Sequence, residues 1–215
     1  MLFRDRREAG RALAAKLGQY QGSQDTLVLG LARGGVVVAY EVAKELSLPL
    51  NVVTPRKIGA PHNPELALGS IMENGEGVFN DSIIRIVGAS QHYIAREIEK
   101  EKAKAQQRLA LYRQYAPLPA IQNHTIILVD DGIATGSTML ASVKAMRQAG
   151  AKKIVVAAPV ASTEAYQLLK KAADEVVCPH VREDFIGVGM YYAMFNQTED
   201  EEVVQLLKEA NQNGS

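Results

Sequence analysis

The sequence predicts an α/β fold in which helices cover both faces of a central parallel sheet. Two observations support this prediction. Short runs of β-branched residues, such as Thr125–Val129 (TIILV) and Ile154–Ala158 (IVVAA), alternate with amphipathic helical segments along the chain. Strands that are apolar along their whole length are typical of parallel sheets buried on both faces. The 215 residues are enough for one substantial core, so we expect a single domain over residues 1–215.

The first half of the chain predicts three helices and two strands around a segment of different composition. These elements are an amphipathic helix over Arg4–Tyr20, a strand over Thr26–Ala32, a helix over Val36–Leu46, a strand over Leu50–Thr54, and a long polar helix over Gln91–Tyr115 that Pro117 and Pro119 end. Residues 56–81 are rich in glycine and proline, and Asn74-Gly75 separates the apolar pieces Leu68–Met72 and Val78–Phe79. Because Asn-Gly is a strong hairpin signal, we expect a mobile two-stranded flap here.

The second half alternates strands and helices more regularly. The predicted strands are Thr125–Val129, Ile154–Ala158, Glu175–Cys178 and Phe185–Tyr191, and the predicted helices are Ser137–Gln148, Thr163–Ala173 and Glu201–Ala210. The flap, the long helix over residues 91–115 and the C-terminal region are expected to form a small hood. In parallel α/β sheets ligands bind beyond the carboxyl ends of the strands. The loops at Arg33, Asp130 and Pro159 are therefore the expected places for chemistry.

Composition excludes several classes of function. The formal net charge is zero, which argues against a nucleic-acid partner because proteins that bind polynucleotides usually carry a basic excess. Cys178 is the only cysteine, so an intramolecular disulfide and a Cys-rich zinc site are excluded, and its apolar neighbours predict a buried thiol in a strand. No secretory segment and no apolar run long enough to span a membrane is visible. We expect no membrane partner and a cytoplasmic location.

The segment Val129–Thr138 (VDDGIATGST) is the most informative in the chain. An apolar strand leads into two adjacent aspartates, and a loop of small residues then opens a helix. Backbone N–H groups at the start of that helix, with hydroxyls nearby, suit a phosphate dianion, and Gly136 permits its close approach. Two carboxylates beside a phosphate suit a ligand that also offers hydroxyls or shares a metal. The alternative interpretation is that the two aspartates only cap the helix. Capping would explain an isolated acidic pair, but it does not explain the whole segment Val129–Thr138.

Val129–Thr138 resembles the signature of type I phosphoribosyltransferases that binds 5-phosphoribosyl 1-diphosphate (PRPP). Further pieces of the chain resemble the same family in the same order, over about Leu27 to Tyr191. Leu31–Gly35 is similar to the pyrophosphate loop of the family, and Pro55–Lys57 is similar to the basic pair before its flexible catalytic loop. Ser70–Gly75 is similar to a loop that carries a catalytic glutamate in adenine-using members. Phe185–Gly189 is similar to the hood strand whose aromatic residue stacks on the base.

The resemblance implies a pentosyltransferase that transfers the phosphoribosyl group of PRPP to a nucleobase-like acceptor and releases diphosphate. It implies Mg2+ held mainly by PRPP, with Asp130 and Asp131 as candidate protein ligands. The implied residues are Asp130, Asp131 and Glu73 for catalysis; Ala134, Thr135, Gly136, Ser137 and Thr138 for the 5-phosphate; Arg33, Gly34, Gly35, Arg56 and Lys57 for the diphosphate; and Phe185 for the acceptor.

The acceptor stays open at this point. Relatives that use 6-oxopurines typically carry an aspartate where this chain has Ala134, so hypoxanthine and guanine are disfavoured without a replacement being selected. The expected partners are PRPP and a small-molecule acceptor, and we expect a homodimer. The alternative function is a PRPP-binding regulatory protein without transferase activity.

Overall fold

The computed structural model describes residues 2–117 and 120–212. The helices are α1 (Arg6–Ala14), α2 (Gly34–Leu46), α3 (Asp81–Val87), α4 (Gln91–Arg113), α5 (Ser137–Gln148), α6 (Thr163–Lys170) and α7 (Asp200–Gln212). The strands are β1 (Thr26–Leu31), β2 (Leu50–Val53), β3 (Arg56–Ala60), β4 (Asn63–Ile71), β5 (Gly77–Phe79), β6 (Thr125–Val129), β7 (Lys153–Ala157), β8 (Val160–Ser162), β9 (Glu175–Val177) and β10 (His180–Arg182). Among the described residues, none of these helices is long and apolar enough to cross a membrane.

A five-stranded parallel sheet in the order β2-β1-β6-β7-β9 forms the centre of the molecule. Successive side chains of a strand point to opposite faces, and β6 shows the result. Ile126 and Leu128 pack in the cluster that includes residues of α5 and α6, whereas Ile127 and Val129 pack in the cluster that includes residues of α1, α2 and α7. Helices therefore cover both faces, and the predicted fold class is confirmed.

The first helix is shorter than predicted. It ends at Ala14, and a single 3-10 turn over Gly18–Tyr20 follows. Leu17 and Tyr20 are buried, so the chain leaves the helical path in order to place these two side chains in the core. Two other helices also end before the predicted residue: α4 ends at Arg113 and α6 ends at Lys170. Pro119, which was expected to help end α4, lies outside the described residues.

The flap has three antiparallel strands, not the two that were predicted. The predicted Asn74-Gly75 turn joins β4 to β5, and Gly75 adopts a φ of +89° there. The additional strand β3 pairs with β4 through a tight turn at Pro61-His62. The flap shares a small core with the segment that follows it, formed by Ile58, Ala60, Leu68, Ile71, Ala89 and Ile94.

Helix α3 follows the flap and was not predicted. Asn80 caps its first turn, because its side-chain oxygen accepts hydrogen bonds from the backbone N–H groups of Ser82 and Ile83. Gly88 ends the helix in a left-handed conformation, with a φ of +64°. An Asn cap before an apolar run and a glycine after it are standard signals of a short helix, so this element was readable from the sequence.

The predicted strand over Phe185–Tyr191 is wrong. The chain forms a 3-10 turn over Val188–Tyr191, and the Tyr191 carbonyl accepts hydrogen bonds from the backbone N–H groups of Leu2 and Phe3. The backbone at Tyr191 therefore forms its hydrogen bonds with the N-terminal segment and does not extend a sheet. Strand β10 pairs instead with β8, in a separate two-stranded parallel sheet.

The expected environment of Cys178 is also wrong in part. The residue directly follows β9 and is only partly buried. Its thiol contacts the His180 carbonyl at 3.6 Å. Burial nevertheless raises the pKa of the Cys178 thiol to about 11.

Candidate active site

Two loops meet where neighbouring strands β1 and β6 end. Gly30 and Val129 are register partners near the carboxyl ends of these strands, so the Arg33–Gly35 segment lies directly against Asp130 and Asp131. A Cβ atom on Gly34 would lie 2.1 Å from Asp131 Oδ2, and one on Gly35 would lie 2.8 Å from Asp130 Oδ1. These two glycines are therefore required by the two carboxylates, and no larger residue fits without a shift. The Ala32–Arg33 peptide bond is cis.

The two aspartates form a partly buried pair. Asp130 Oδ1 accepts a hydrogen bond of 2.9 Å from the Asp131 backbone N–H, and Arg6 Nε donates to Asp131 Oδ2 at 2.7 Å. Burial raises the pKa of Asp130 well above its ordinary value, and the charge of Asp131 adds to this effect. Burial also raises the pKa of Asp131, although Arg6 opposes that change. The pair presents oxygen acceptors and, when ionised, a concentrated negative potential.

The Asp130–Thr138 loop continues from the carboxylates into α5. Gly136 precedes the helix with a φ of +78°, which favours glycine at this position. Ala134 and Thr135 are exposed, and Ser162 Oγ donates to the Ala134 carbonyl at 2.6 Å. The loop is thus supported from β8, while Ala134 and Thr135 remain exposed shortly before the twelve-residue helix α5. Such a helix N-terminus suits an anion.

A cavity of about 560 Å³ joins this loop to the flap. Thr135 and Ser137 line it on one side, and Lys57 at the start of the flap lines it on another. Its remaining wall is largely apolar and includes Leu66, Leu68, Val78, Phe79, Ile83, Leu140 and Leu168. The structure therefore brings Lys57 to the Asp130–Thr138 loop, so that one cation and two hydroxyl groups share a cavity.

Comparison with known proteins agrees with this arrangement. The family model described as "phosphoribosyl transferase domain" matches residues 4–193. The chain belongs to this family. It is 41% identical over 210 residues to a protein of Mycobacterium tuberculosis named a "putative phosphoribosyl transferase", which covers 98% of this chain and 47% of the relative. The chain thus spans about half the length of the curated relatives that it matches first.

Two further similarities concern proteins closer to this chain in length. A crystal structure of a protein from Thermus thermophilus shares 46% identity with a TM-score of 0.81, over 97% of this chain and 99% of that one. A uracil phosphoribosyltransferase of Staphylococcus haemolyticus is 26% identical over 151 residues, which is 66% of this chain and 68% of the relative. The named activity of the Staphylococcus protein agrees with the family, and the Thermus structure agrees with the fold over nearly its whole length.

Two of the expected anion-binding side chains are directed towards carboxylates in this phosphoribosyl transferase domain. Arg33 Nη1 lies 3.0 Å from Glu199 Oε2, just before α7. Arg56 lies 2.7 Å from Glu101 Oε2 on α4, and Glu101 is buried. Arg33 stays at the loop that was predicted for it, whereas Arg56 is turned towards α4. Its pairing follows from the position of α4 beside β3, which no local motif reveals.

Glu73 is not brought to the aspartate pair. It lies in the turn between β4 and β5, and its carbonyl accepts a hydrogen bond from Gln106 of α4. Glu76 of the same turn and Gly77, the first residue of β5, line a small cavity with Ala141, Lys144, Ala145 and Gln148. Along the helix axis these α5 residues lie roughly 6–16 Å beyond Ser137, at about 1.5 Å per residue. The β-ladder therefore carries the turn away from the Asp130–Thr138 loop.

Phe185 lies shortly before the 3-10 turn over Val188–Tyr191. It is partly buried, and its ring is 5.3 Å from that of Tyr191 with an interplanar angle of 32°. The following segment reaches the site, because a Cβ atom on Gly132 would lie 2.5 Å from Val188 Cγ1. Phe185 is thus a partly buried aromatic residue, three positions before the Val188 that approaches the Asp130–Thr138 loop, and it belongs to none of the buried core clusters.

Three residues at the site were missed in the sequence. Arg6 pairs with Asp131 across 125 positions, and Tyr192 Oη donates to the Asp131 carbonyl at 2.6 Å. No local sequence pattern predicts either contact, because both depend on how residues 2–6 and 185–199 pack against the site. Ser162 was detectable in part, since Ser-Thr-Glu after an apolar strand is a typical helix start.

Proposed function

We propose that this chain transfers the 5-phosphoribosyl group of PRPP to a nucleobase-like acceptor and releases diphosphate. The observation that carries the proposal is the position of Asp130 and Asp131 between the Gly34–Gly35 backbone and the start of α5. PRPP has a phosphate at one end, two ribose hydroxyls in the middle and a diphosphate at the other end. The site offers an anion-binding helix start, carboxylate acceptors and a glycine loop in a matching order.

Each part of the ligand has a defined place in this proposal. The 5-phosphate binds at Ala134–Thr138, where backbone N–H groups and hydroxyls converge. The ribose hydroxyls donate to Asp130 and Asp131. The diphosphate binds at Gly34 and Gly35 with Arg33. Lys57, which lines a cavity with Thr135 and Ser137, reaches the diphosphate when the flap closes. Arg56 stays a proposed ligand of the diphosphate and Glu73 a proposed catalytic residue. In this structure Arg56 pairs with Glu101, and the Glu73 carbonyl accepts a hydrogen bond from Gln106, so both residues would have to move with the flap.

The reaction breaks the bond between ribose C1 and the diphosphate oxygen, and the electron pair leaves with diphosphate. C1 then carries oxocarbenium character, as in glycoside hydrolysis. An acceptor nitrogen forms the new bond to C1, and the proton that the acceptor ring loses passes to the departing diphosphate. The ionised aspartates stabilise the cation by their negative potential. Arg33 and Lys57 stabilise the charge that builds on the diphosphate. The flap over residues 56–81 closes the cavity to water, which would otherwise consume PRPP.

Magnesium fits this site as an ion held mainly by the ligand. Asp130 and Asp131 offer the hard oxygen atoms that Mg2+ prefers, although Asp131 Oδ2 already accepts from Arg6. Within residues 2–117 and 120–212, no group of three or more His, Cys, Asp and Glu side chains could hold a metal by itself. When bound, the ion would neutralise charge on the departing diphosphate.

The acceptor is proposed to be a nucleobase-like ring. Phe185 and Tyr191 form an aromatic pair in the segment whose Val188 approaches Gly132, and similarity to a uracil phosphoribosyltransferase supports the same class of acceptor. Ala134 lacks the carboxylate expected for 6-oxopurines. A ring without the 6-oxopurine pattern is therefore favoured.

Isotope-labelled PRPP with magnesium and a panel of nucleobases and small amines tests the proposal by diphosphate release. We expect release with at least one nucleobase. Replacing Asp130 and Asp131 by Asn should lower kcat more than PRPP affinity, because the negative potential acts on the transition state. PRPP binding without release for any acceptor would identify a regulatory protein instead. Absence of PRPP binding would contradict the proposal altogether.

A further inference from the structure

Arg6 is bound on three sides next to the aspartate pair. Its Nε donates to Asp131 Oδ2 at 2.7 Å, and its Nη1 donates to the Asn196 carbonyl at 2.7 Å. Its guanidinium carbon lies 3.9 Å from the centre of the Phe195 ring. The Arg6 side chain is 12% exposed. A long side chain that is fixed in this way by a carboxylate, a carbonyl and an aromatic face has a single orientation.

The two ends of the described chain cooperate to place Arg6. Arg6 is the first residue of α1, and the Asp5 side chain caps that helix. The backbone N–H of Met194 donates to the Arg4 carbonyl at 2.8 Å, so the segment that carries Phe195 and Asn196 is attached directly before α1. This arrangement sets one guanidinium against one carboxylate of the site.

Arg6 is distinguished from its neighbour by what it contacts. Arg7 directs its guanidinium to Glu41 of α2, at 2.9 Å, and its side chain is 44% exposed. Arg6 instead enters the space that the missing side chain of Gly34 leaves open, because a Cβ atom on Gly34 would lie 2.9 Å from Arg6 Nε. The backbone of Gly34 and the side chain of Arg6 thus both lie against Asp131 Oδ2.

We propose that Arg6 is a positioning residue that orients Asp131 towards the ribose of PRPP. The inference rests on the proposed function. Two adjacent carboxylates repel each other, and Asp131 would turn away from Asp130 if it had no counter-charge. Arg6 binds Oδ2 and so fixes the carboxylate plane, which presents Oδ1 to a ribose hydroxyl. The guanidinium acts on the ligand only through Asp131.

Calorimetry with two probes tests this role. Ribose 5-phosphate needs both the phosphate loop and the aspartates, whereas inorganic phosphate needs the loop alone. Arg6→Gln should weaken ribose 5-phosphate binding by about tenfold or more, the effect of losing one charge-assisted hydrogen bond, and should leave phosphate affinity unchanged. Arg6→Lys should recover part of the loss, since it keeps the charge but not the second donor. Arg7→Gln is the matched control and should change neither affinity.

A double-mutant cycle with Asp131→Asn decides the mechanism. If Arg6 acts through Asp131, Arg6→Gln adds no further loss in the Asp131→Asn background. Additive losses, or equal losses for both probes, would overturn the inference and leave Arg6 as a support of the hood. If Arg6→Gln does not fold, Arg6→Lys and Phe195→Leu carry the same comparison. A wild-type chain that binds neither probe would instead refute the proposed function, which separates the two failures.

Discussion

At the scale of single residues, the site depends on glycines, because a larger side chain would occupy the space that neighbouring groups need. Gly34 and Gly35 belong to the first turn of α2, and the reason for glycine there is contact with the two aspartates, not an unusual backbone conformation. Gly136 is different, because its φ of +78° lies in the left-handed region. The sequence explained all three by close approach to phosphate. The structure adds a steric role for the first pair and a conformational role for Gly136.

Substituting Gly34 by alanine should disturb Asp131 directly. The new methyl group would overlap Asp131 Oδ2 at 2.1 Å, and overpacking of this kind costs about 1–3 kcal/mol. We expect weaker binding of PRPP and a lower Tm. Gly18→Ala is the control, since no atom lies within 4 Å of its added Cβ. An unchanged PRPP affinity in Gly34→Ala would show that the Asp131 carboxylate can move without consequence.

Phe185 remains the predicted wall of the acceptor site. Its partly buried ring contacts Tyr191, so Phe185→Leu should alter Tm little. It should raise the acceptor KM by the equivalent of about 1–3 kcal/mol, the usual value for stacking of a base on an aromatic ring. Tyr191→Phe keeps the neighbouring ring and serves as the control. A lower Tm with unaltered KM would assign Phe185 to hood packing.

At the scale of elements, the flap is more than a loop between two strands. Its three strands enclose a small core with Ile94 of α4, and Glu101 of α4 binds both Arg56 and Lys104. Lys57, the next residue after Arg56, lines the cavity that includes Thr135 and Ser137. The flap is therefore attached to α4 through Arg56 and contributes Lys57 to that cavity.

Glu101→Gln should loosen the flap. It leaves the Arg56 guanidinium without its buried carboxylate, and because Arg56 is 27% exposed we expect a cost of about 1–3 kcal/mol, below that of a fully buried pair. Hydrogen exchange should become faster in residues 56–71 than in the exposed control Glu99→Gln. In the wild type, protection of residues 56–81 should rise when PRPP binds. Full protection of the flap without ligand would contradict its predicted mobility.

At the scale of the whole molecule, the site depends on contacts between distant parts of the chain. Residues 2–6 and 185–199 meet above the Asp130–Thr138 loop through backbone hydrogen bonds and the contacts of Phe3 with Tyr192. Helix α7 continues this segment and buries Val203, Leu206 and Leu207 in the main core. The C-terminal segment thus contributes first to the surroundings of the aspartate pair and then to the main core.

Truncation of a buried leucine in α7 should therefore affect the entire fold. Leu206 is 1% exposed, and Leu→Ala at such a site costs about 2–5 kcal/mol through lost burial and a residual cavity. We expect a lower Tm and a lower denaturant midpoint in Leu206→Ala. Leu111, which is 38% exposed, gives the matched control Leu111→Ala. Equal losses in the two variants would mean that α7 is not part of the cooperative core.

The sequence alone was sufficient for the parallel sheet and the Asp130–Thr138 loop. Both depend on short-range patterns: apolar runs such as Thr125–Val129, and a string of residues that forms one strand, one loop and one helix start. It also predicted the Asn74-Gly75 turn, because a two-residue turn is chosen locally. It missed the third flap strand and read residues 185–191 as a strand, where competing partners far away in the chain decided the outcome.

Tertiary structure decided which charges meet. Asp131 is paired with Arg6, Arg56 with Glu101 and Arg33 with Glu199, and none of these partners lies within forty positions of the other. A sequence pattern specifies where a side chain lies along its own strand or helix. It does not specify which element packs opposite, because that depends on how the whole hydrophobic core closes. The aspartates could therefore be found in the sequence, but the arginine that orients one of them could not.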